Sequence, residues 1–335
     1  MRSEPAIDRK GLRDLLRRDY GMEGDELRFI PVGFDTACYV IGSWFVKVWP
    51  PTASGGRAAR ILETTLPLLE VLGTLGLRAR VAAPARAIGG ELYSWHGGMP
   101  VAVFPLLPGE LPPDHAHLNP DLWTEMARVM AEVHAATPAV ASLPLERESF
   151  PAPAFAALER GLLVAERGGE DARGLDAVIG PRRNELVGYM RRLDAVRLVV
   201  SRLRGPRVLC HRDFHRHNLL VDADGRLSVL DWDAAAIAPA EHDLWVAAGD
   251  GLAEFLACYW EAGGVRLLRR EQFEFALLRR GLNDLAARIT RILDDDVSEA
   301  ERRELLDGIV RWGFDRCATV DAVLSGFSQA RTGSR

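Results

Sequence analysis

The stretch that most constrains this chain is LCHRDFHRHNLLVDADGRLSVLDWDAAAIAPAEHDLW, residues 209–245. In it His211-Arg212-Asp213 is followed by Asn218, five residues after that aspartate, and by Asp231, eighteen residues after it. Leu219-Leu220-Val221 and Leu227-Ser228-Val229-Leu230 read as two short strands, with Asp222-Ala223-Asp224-Gly225 as a strong turn signal between them. A hairpin of that length returns Asn218 and Asp231 to the same end. An amide and a carboxylate far apart in sequence then converge.

These residue types at this spacing fit phosphoryl transfer. Asp213 is placed to accept the proton of an attacking hydroxyl. Asn218 and Asp231 are hard oxygen ligands, suited to holding Mg2+ against the phosphates of ATP. A lone His-Arg-Asp would mean little, because a histidine among apolar residues is commonly a hydrogen-bonded core group. Here three groups fall at the right distances between apolar strands. A zinc site built from His211, His215 and His217 is the competing reading; it explains neither Asn218 nor Asp231.

Upstream, residues 9–18 form an amphipathic helix pattern, and 29–32, 38–41 and 44–49 read as three successive strands. Residues 56–75 carry apolar positions near a 3.6-residue period and read as helical, with Pro67 expected to kink or split the helix. Further β segments are expected at 87–88, 92–95 and 101–104. Lys47 stands among apolar residues in the third strand. Burying it is costly unless its ammonium meets anions, and ATP phosphates with a helix glutamate would supply them. Glu63, sixteen residues on, is the expected partner, with Glu70 as the alternative. An edge-strand lysine reaching solvent is the bland alternative for Lys47.

No G-x-G-x-x-G lies between the first two strands. The turn Gly33-Phe34-Asp35-Thr36 would instead offer backbone amides and the Thr36 hydroxyl to phosphates. Pro105-Leu106-Leu107-Pro108-Gly109 is a natural boundary, stiffened by two prolines. Pro105 keeps a carbonyl and Leu107 an N–H, an acceptor–donor pair for adenine; a plain linker is compatible with the same residues. Beyond it the sequence turns mostly helical, over 121–136, 155–167, 183–201, 252–262, 270–293 and 298–313. Ser298 reads as the N-cap of the last of these, with Glu301 three residues on. The expected division is an N-lobe at 1–104 that binds nucleotide, a hinge at 105–109, and a C-lobe at 110–335 that holds catalytic loop, metal site and acceptor.

At 335 residues and 48% apolar content the chain can bury a sizeable core. Its net charge of −5, with basic residues interleaved among acids, argues against a nucleic-acid surface and is compatible with a cationic substrate. The four cysteines are far apart and without a C-x-x-C, so free thiols in a reducing cytoplasm are expected. The N-terminus lacks an apolar signal core, and no apolar run approaches the length of a membrane span, so no membrane partner is expected.

With Lys47, the HRDFHRHN loop, VLDWD and a helical second half, the chain resembles the aminoglycoside phosphotransferase family of small-molecule kinases. Its pattern is most similar to the spectinomycin phosphotransferase branch, in the FDTA turn running into VIGSWFVKV, in DWD with PAEHDL, and in the helical tail. The resemblance implies an α+β, protein-kinase-like two-lobed fold, with a small β-rich N-lobe and a larger, mainly helical C-lobe. It implies His211, Asp213, Asn218 and Asp231 in the family's motif positions, and Asp243 as a buttress of the loop. The implied activity is ATP- and Mg2+-dependent phosphorylation of a hydroxyl on a small molecule, such as an aminoglycoside or aminocyclitol antibiotic. Arg212 and Phe214-His215-Arg216-His217 are bulkier and more basic than the family's usual residues there. A metabolite kinase for homoserine, a sugar or an amino alcohol is the alternative, and a nucleotide-binding pseudokinase module a second. Asp284 and Glu241 are further candidates, as carboxylates that would pair with substrate ammonium groups.

Overall fold

A computed structural model describes residues 4–22, 26–32, 36–50, 55–113, 119–249, 251–295 and 297–333. They fall into two compact units. The first comprises Met1–Glu146, Leu209–Ile237 and Ala262–Gly264; the second comprises Arg147–Val208, Ala238–Glu261 and Val265–Arg335. Residues 105–109 lie inside the first.

The first unit opens with α1 (Arg9–Tyr20), where the Asp8 carboxylate caps the free amides of Lys10 and Gly11 at 3.1 Å each. There follow β1 (Arg28–Ile30), β2 (Ala37–Ile41), β3 (Trp44–Val48), α2 (Gly55–Thr74), β4 (Arg80–Val81), β5 (Ser94–His96), β6 (Met99–Pro105) and α3 (Pro120–Ala135). Strands β1, β2, β3, β6 and β5, in that order, form an antiparallel sheet. Side chains alternate across it. Ala37, Tyr39, Ile41, Val46, Val48, Val101 and Val103 pack with Leu12, Leu15 and Leu16 of α1. The opposite face carries the cross-strand row Cys38, Lys47 and Ala102.

Three expectations change here. Residues 87–88 form a turn, with the Ala87 and Gly90 amides bonded to Glu91 and Ala87 carbonyls, because Gly89-Gly90 reverses the chain there. β4 was not anticipated, being only two residues long. Helix α2 runs unbroken through Pro67. A proline inside a helix costs about 3 kcal/mol; the buried face of Leu62, Leu66, Leu68, Leu69 and Leu72 offsets this, at roughly 1.5–3 kcal/mol per buried leucine.

The chain continues through α4 (Phe155–Arg167), α5 (Leu175–Ile179), α6 (Arg183–Val200), β7 (Val208–Cys210), β8 (Leu219–Val221), β9 (Leu227–Val229) and β10 (Ala236–Ala238). It ends with α7 (Glu241–Leu244), α8 (Leu252–Glu261), α9 (Arg270–Asp294), α10 (Glu299–Gly308), a π-helical stretch Ile309–Phe314, and α11 (Asp315–Gly333). β8 and β9 pair as the expected hairpin, and β4 joins β9 in parallel register.

In the second unit α9 is the central helix, with α4, α6 and α11 packed against it. Gly281 of α9 permits close approach to α11: a Cβ there would come 2.6 Å from the Cys317 Sγ. The Ser298 hydroxyl accepts from the Glu301 amide at 3.2 Å, as the cap reading requires. The single helix expected at 298–313 divides instead into α10 and the π-helical stretch, and α11 extends the helical region beyond it.

Candidate active site

Every residue that follows in the site belongs to the first unit. The β8–β9 register pairs Leu219 with Val229, which sets Asn218 opposite Leu230 and puts Asp231 at the same hairpin end. The Leu230 amide donates to the Asn218 carbonyl at 2.8 Å and closes that end. At the other end Asp222 accepts from the amides of Asp224 and Arg226, at 3.0 and 2.8 Å, and its carboxylate pairs with Arg80. Gly109, at φ 121, lets residues 109–110 pass close to β8: a Cβ would lie 2.7 Å from the Val221 carbonyl oxygen. The adjacent Glu110 and Val221 exchange backbone hydrogen bonds of 3.0 and 2.9 Å.

The Asn218 side-chain amide donates to the Asp213 carbonyl and to its Oδ2, both at 2.9 Å. Since the Nδ2 group is spent on Asp213, the amide orientation is fixed and Oδ1 is left as an acceptor. His215 Nε2 stands 3.3 Å from Asp213 Oδ1. His211, wholly buried, places Nε2 2.8 Å from the Leu230 carbonyl and takes the Asp213 N–H on Nδ1 at 3.2 Å. Both ring nitrogens therefore face backbone groups, which fits a brace for the loop and not a zinc ligand. Its ring packs on Trp232, centroid to centroid 4.7 Å. Arg212 takes a left-handed backbone, φ 66, and turns its guanidinium to Glu146 at 3.5 Å; Arg216 donates to the Pro112 carbonyl at 3.2 Å.

Lys47 Nζ lies 2.9 Å from Asp231 Oδ1 and 2.8 Å from Asp233 Oδ2. Burial opposes the ammonium charge, but the two carboxylates outweigh it and hold the Lys47 pKa above its ordinary value. Burial likewise pushes Asp231 up, yet the Lys47 charge prevails and keeps it below the usual carboxylate range. For Asp233, burial together with the neighbouring Asp231 charge wins over Lys47, and its pKa is raised. The structure does not bring Glu63 to Lys47: Glu63 is exposed on α2, and Glu70 pairs with Arg86 at 2.7 Å. Asp233, the second aspartate of D-W-D, meets Lys47 where the sequence pointed to a helix glutamate. Its signal was the D-W-D spacing itself.

The Leu106 amide donates to the Ser43 carbonyl at 2.8 Å, and the Ala85 amide to the Val103 carbonyl at 2.8 Å from the other edge of β6. By strand alternation the Pro105 carbonyl points to that second edge. Leu107 is half-buried just past the strand. Gly33, Phe34 and Asp35 lie outside the described residues. Thr36 is buried, its hydroxyl 3.7 Å from the Cys38 sulfur.

In the second unit Asp243 is buried on α7. Asp284 is engaged by Arg280 at 3.3 Å, by Arg288 at 3.9 Å and by Arg316. Glu241 is buried and accepts the Arg269 N–H at 2.5 Å. Neither carboxylate is idle in the way a waiting substrate contact would be.

The donor set fits a divalent cation. Asn218 Oδ1 and Asp231 are hard oxygens brought to one hairpin end, and only one Asp231 oxygen is taken up by Lys47.

The model of the phosphotransferase enzyme family matches residues 26–275. No curated protein matches the chain. Among solved structures, a spectinomycin phosphotransferase in complex with ADP and spectinomycin is similar at 18% identity and TM-score 0.72, over 95% of this chain and 99% of that one. A macrolide 2'-phosphotransferase from Brachybacterium faecium, without ligand, is similar at 20% identity and TM-score 0.54, over 91% and 98%. An amicoumacin kinase in complex with AMP-PNP, Ca2+ and Ami is similar at 14% identity and TM-score 0.57, over 91% and 93%. The fold is α+β, of the protein-kinase-like type those structures share. With three quarters of its length matched by the family model, the chain belongs to the phosphotransferase enzyme family.

Proposed function

We propose that this phosphotransferase moves the γ-phosphate of ATP, with Mg2+, to a hydroxyl of a small molecule, and that the acceptor is an aminocyclitol antibiotic of the spectinomycin class. The transfer reading rests chiefly on one observation: Asn218 grips the Asp213 carboxylate at the hairpin end that also presents Asp231. Asp213, held by Asn218 and His215, orients the acceptor hydroxyl and receives its proton. Lys47 binds the α- and β-phosphates. The Pro105 carbonyl and Leu107 N–H receive the adenine edge, with residues 105–109 as the hinge between lobes at 1–104 and 110–335. Mg2+, held by Asn218 and Asp231, supplies charge neutralisation when bound. Catalysis of this kind is mostly positioning and electrostatics.

The acceptor class is supported by likeness to a spectinomycin phosphotransferase over 95% of the chain and by the net charge of −5. One observation favours a metabolite such as homoserine, a sugar or an amino alcohol instead: Asp284 and Glu241 are already bonded to protein groups. The proposed partner is a small molecule, not a nucleic acid or a membrane, and the compartment is the cytoplasm. Among the described residues no helix is long and apolar enough to cross a membrane.

Mass spectrometry of acceptors incubated with protein, ATP and Mg2+ tests the reading. The panel contains spectinomycin, other aminoglycosides, macrolides, homoserine, choline and simple sugars. One phosphate added to spectinomycin or a related aminocyclitol is the expected result. Phosphate on homoserine or a neutral sugar alone would remove the antibiotic while leaving phosphoryl transfer in place.

A further inference from the structure

We infer that Asp233, and not a helix glutamate, is the residue that positions Lys47, holding its ammonium while Asp231 serves the metal. This deepens the nucleotide reading above and rests on it. A lysine on the inner row of a sheet, between buried Cys38 and Ala102, needs a counter-charge. Both carboxylates that supply it come from one short loop, at 2.9 Å from Asp231 and 2.8 Å from Asp233. Glu63 is exposed elsewhere on α2, and Glu70 is occupied by Arg86.

The local backbone explains how two acids reach one ammonium. Asp231 adopts a left-handed conformation, φ 57, and a 3-10 turn follows over Trp232–Ala234. Trp232 points inward: it is 2% exposed, its indole N–H donates to the Val229 carbonyl at 3.1 Å, and its ring packs on His211. With that side chain anchored, the residues on either side of it both turn to Lys47. A carboxylate that binds a divalent cation must share or surrender its ammonium, since the cation carries the larger charge. Asp231 is the proposed metal ligand, so Asp233 is the carboxylate that stays with Lys47. The D-W-D sequence thus divides the two tasks between two acids around one aromatic anchor.

A double-mutant cycle on nucleotide binding tests this, with AMP-PNP and Mg2+ titrated by calorimetry into the wild type, Lys47→Met, Asp233→Asn and the double variant. Asp233→Asn should weaken AMP-PNP about tenfold. The double variant should bind no worse than Lys47→Met alone, within about twofold, because Asp233 acts only through the lysine. Asp233→Glu, which keeps the charge, should recover part of the loss, and Glu63→Gln should weaken binding at least about fivefold less than Asp233→Asn does. The Mg2+ concentration for half-maximal binding should stay unchanged. If Asp233→Asn fails to fold, as judged by its thermal melt, Asp233→Ser takes its place in the cycle. Additive losses in the double variant would overturn the inference. So would a raised Mg2+ requirement with AMP-PNP affinity kept at saturating metal, which makes Asp233 a metal ligand. If Lys47→Met itself leaves AMP-PNP affinity unchanged, the nucleotide role of Lys47 falls, and this inference falls with it.

Discussion

Asp213 is constrained at both carboxylate oxygens, by Asn218 at 2.9 Å and by His215 at 3.3 Å. Asp213→Asn keeps that shape but removes the charge and the proton acceptor. Turnover should fall by about two to four orders of magnitude while nucleotide affinity is nearly kept, measured by steady-state kinetics beside calorimetry. Asp231→Ala should abolish metal-dependent turnover, and Asn218→Ala should impair it less completely, since the first loses a full charge and the second a neutral oxygen. A Mg2+ titration of activity reads both; unchanged Mg2+ dependence in the two variants would dismiss the metal site. Away from this site, burial pushes the Glu241 carboxyl up to about 7 from 4.5. Between those values the folded protein holds a proton that the unfolded chain has lost, so stability falls as pH rises through that window. The whole fall is about 3 kcal/mol, an order-of-magnitude figure. Denaturant melts across the window should record it in the wild type, and Glu241→Gln should flatten the curve.

At the level of elements, the residue-to-structure mapping was clearest where local chemistry alone decides. Asp222–Gly225 turns as its residue types dictate, Ser298 caps α10, and Asn218 meets Asp213 and Leu230 at the end of a hairpin whose length follows from the strand pattern. What the sequence hid depended on tertiary packing. Pro67 is a breaker by propensity, yet buried leucines hold α2 continuous. α11 buries Cys317, Val320, Leu324 and Phe327 at helical spacing, but Ser, Thr and Gly between them dilute the periodicity. Sequence distance favours a helix glutamate as the partner of Lys47, whereas Asp233 lies 186 residues away. Gly281 gives an element-scale test. In an open helix Gly→Ala gains roughly 0.5–1 kcal/mol. Here the new methyl would meet the Cys317 Sγ at 2.6 Å, so Gly281→Ala should instead destabilise by about 1–3 kcal/mol, read as a lowered denaturation midpoint.

For the whole molecule, the family match spans the sheet with Lys47, the Asp213 loop, the Asp231 hairpin and the first residues of α9, so every group of the candidate site sits within it. Fold likeness does not set the acceptor: the similar structures carry names as different as spectinomycin phosphotransferase and macrolide 2'-phosphotransferase. The tie of Asp284 to three arginines and the burial of Glu241 mean that recognition of a cationic acceptor would fall to other groups. The claim at the centre is that Asp213, held by Asn218, directs a phosphoryl group from ATP onto an alcohol. Transfer of a radiolabelled γ-phosphate from ATP to spectinomycin and to the rest of the acceptor panel, compared between wild type and Asp213→Asn, tests it most directly. Label on an acceptor hydroxyl is expected with the wild type, and a loss of about two to four orders of magnitude in its rate with the variant. Equal labelling by both proteins, or labelling of no acceptor on the panel by a wild type that binds nucleotide, would contradict it.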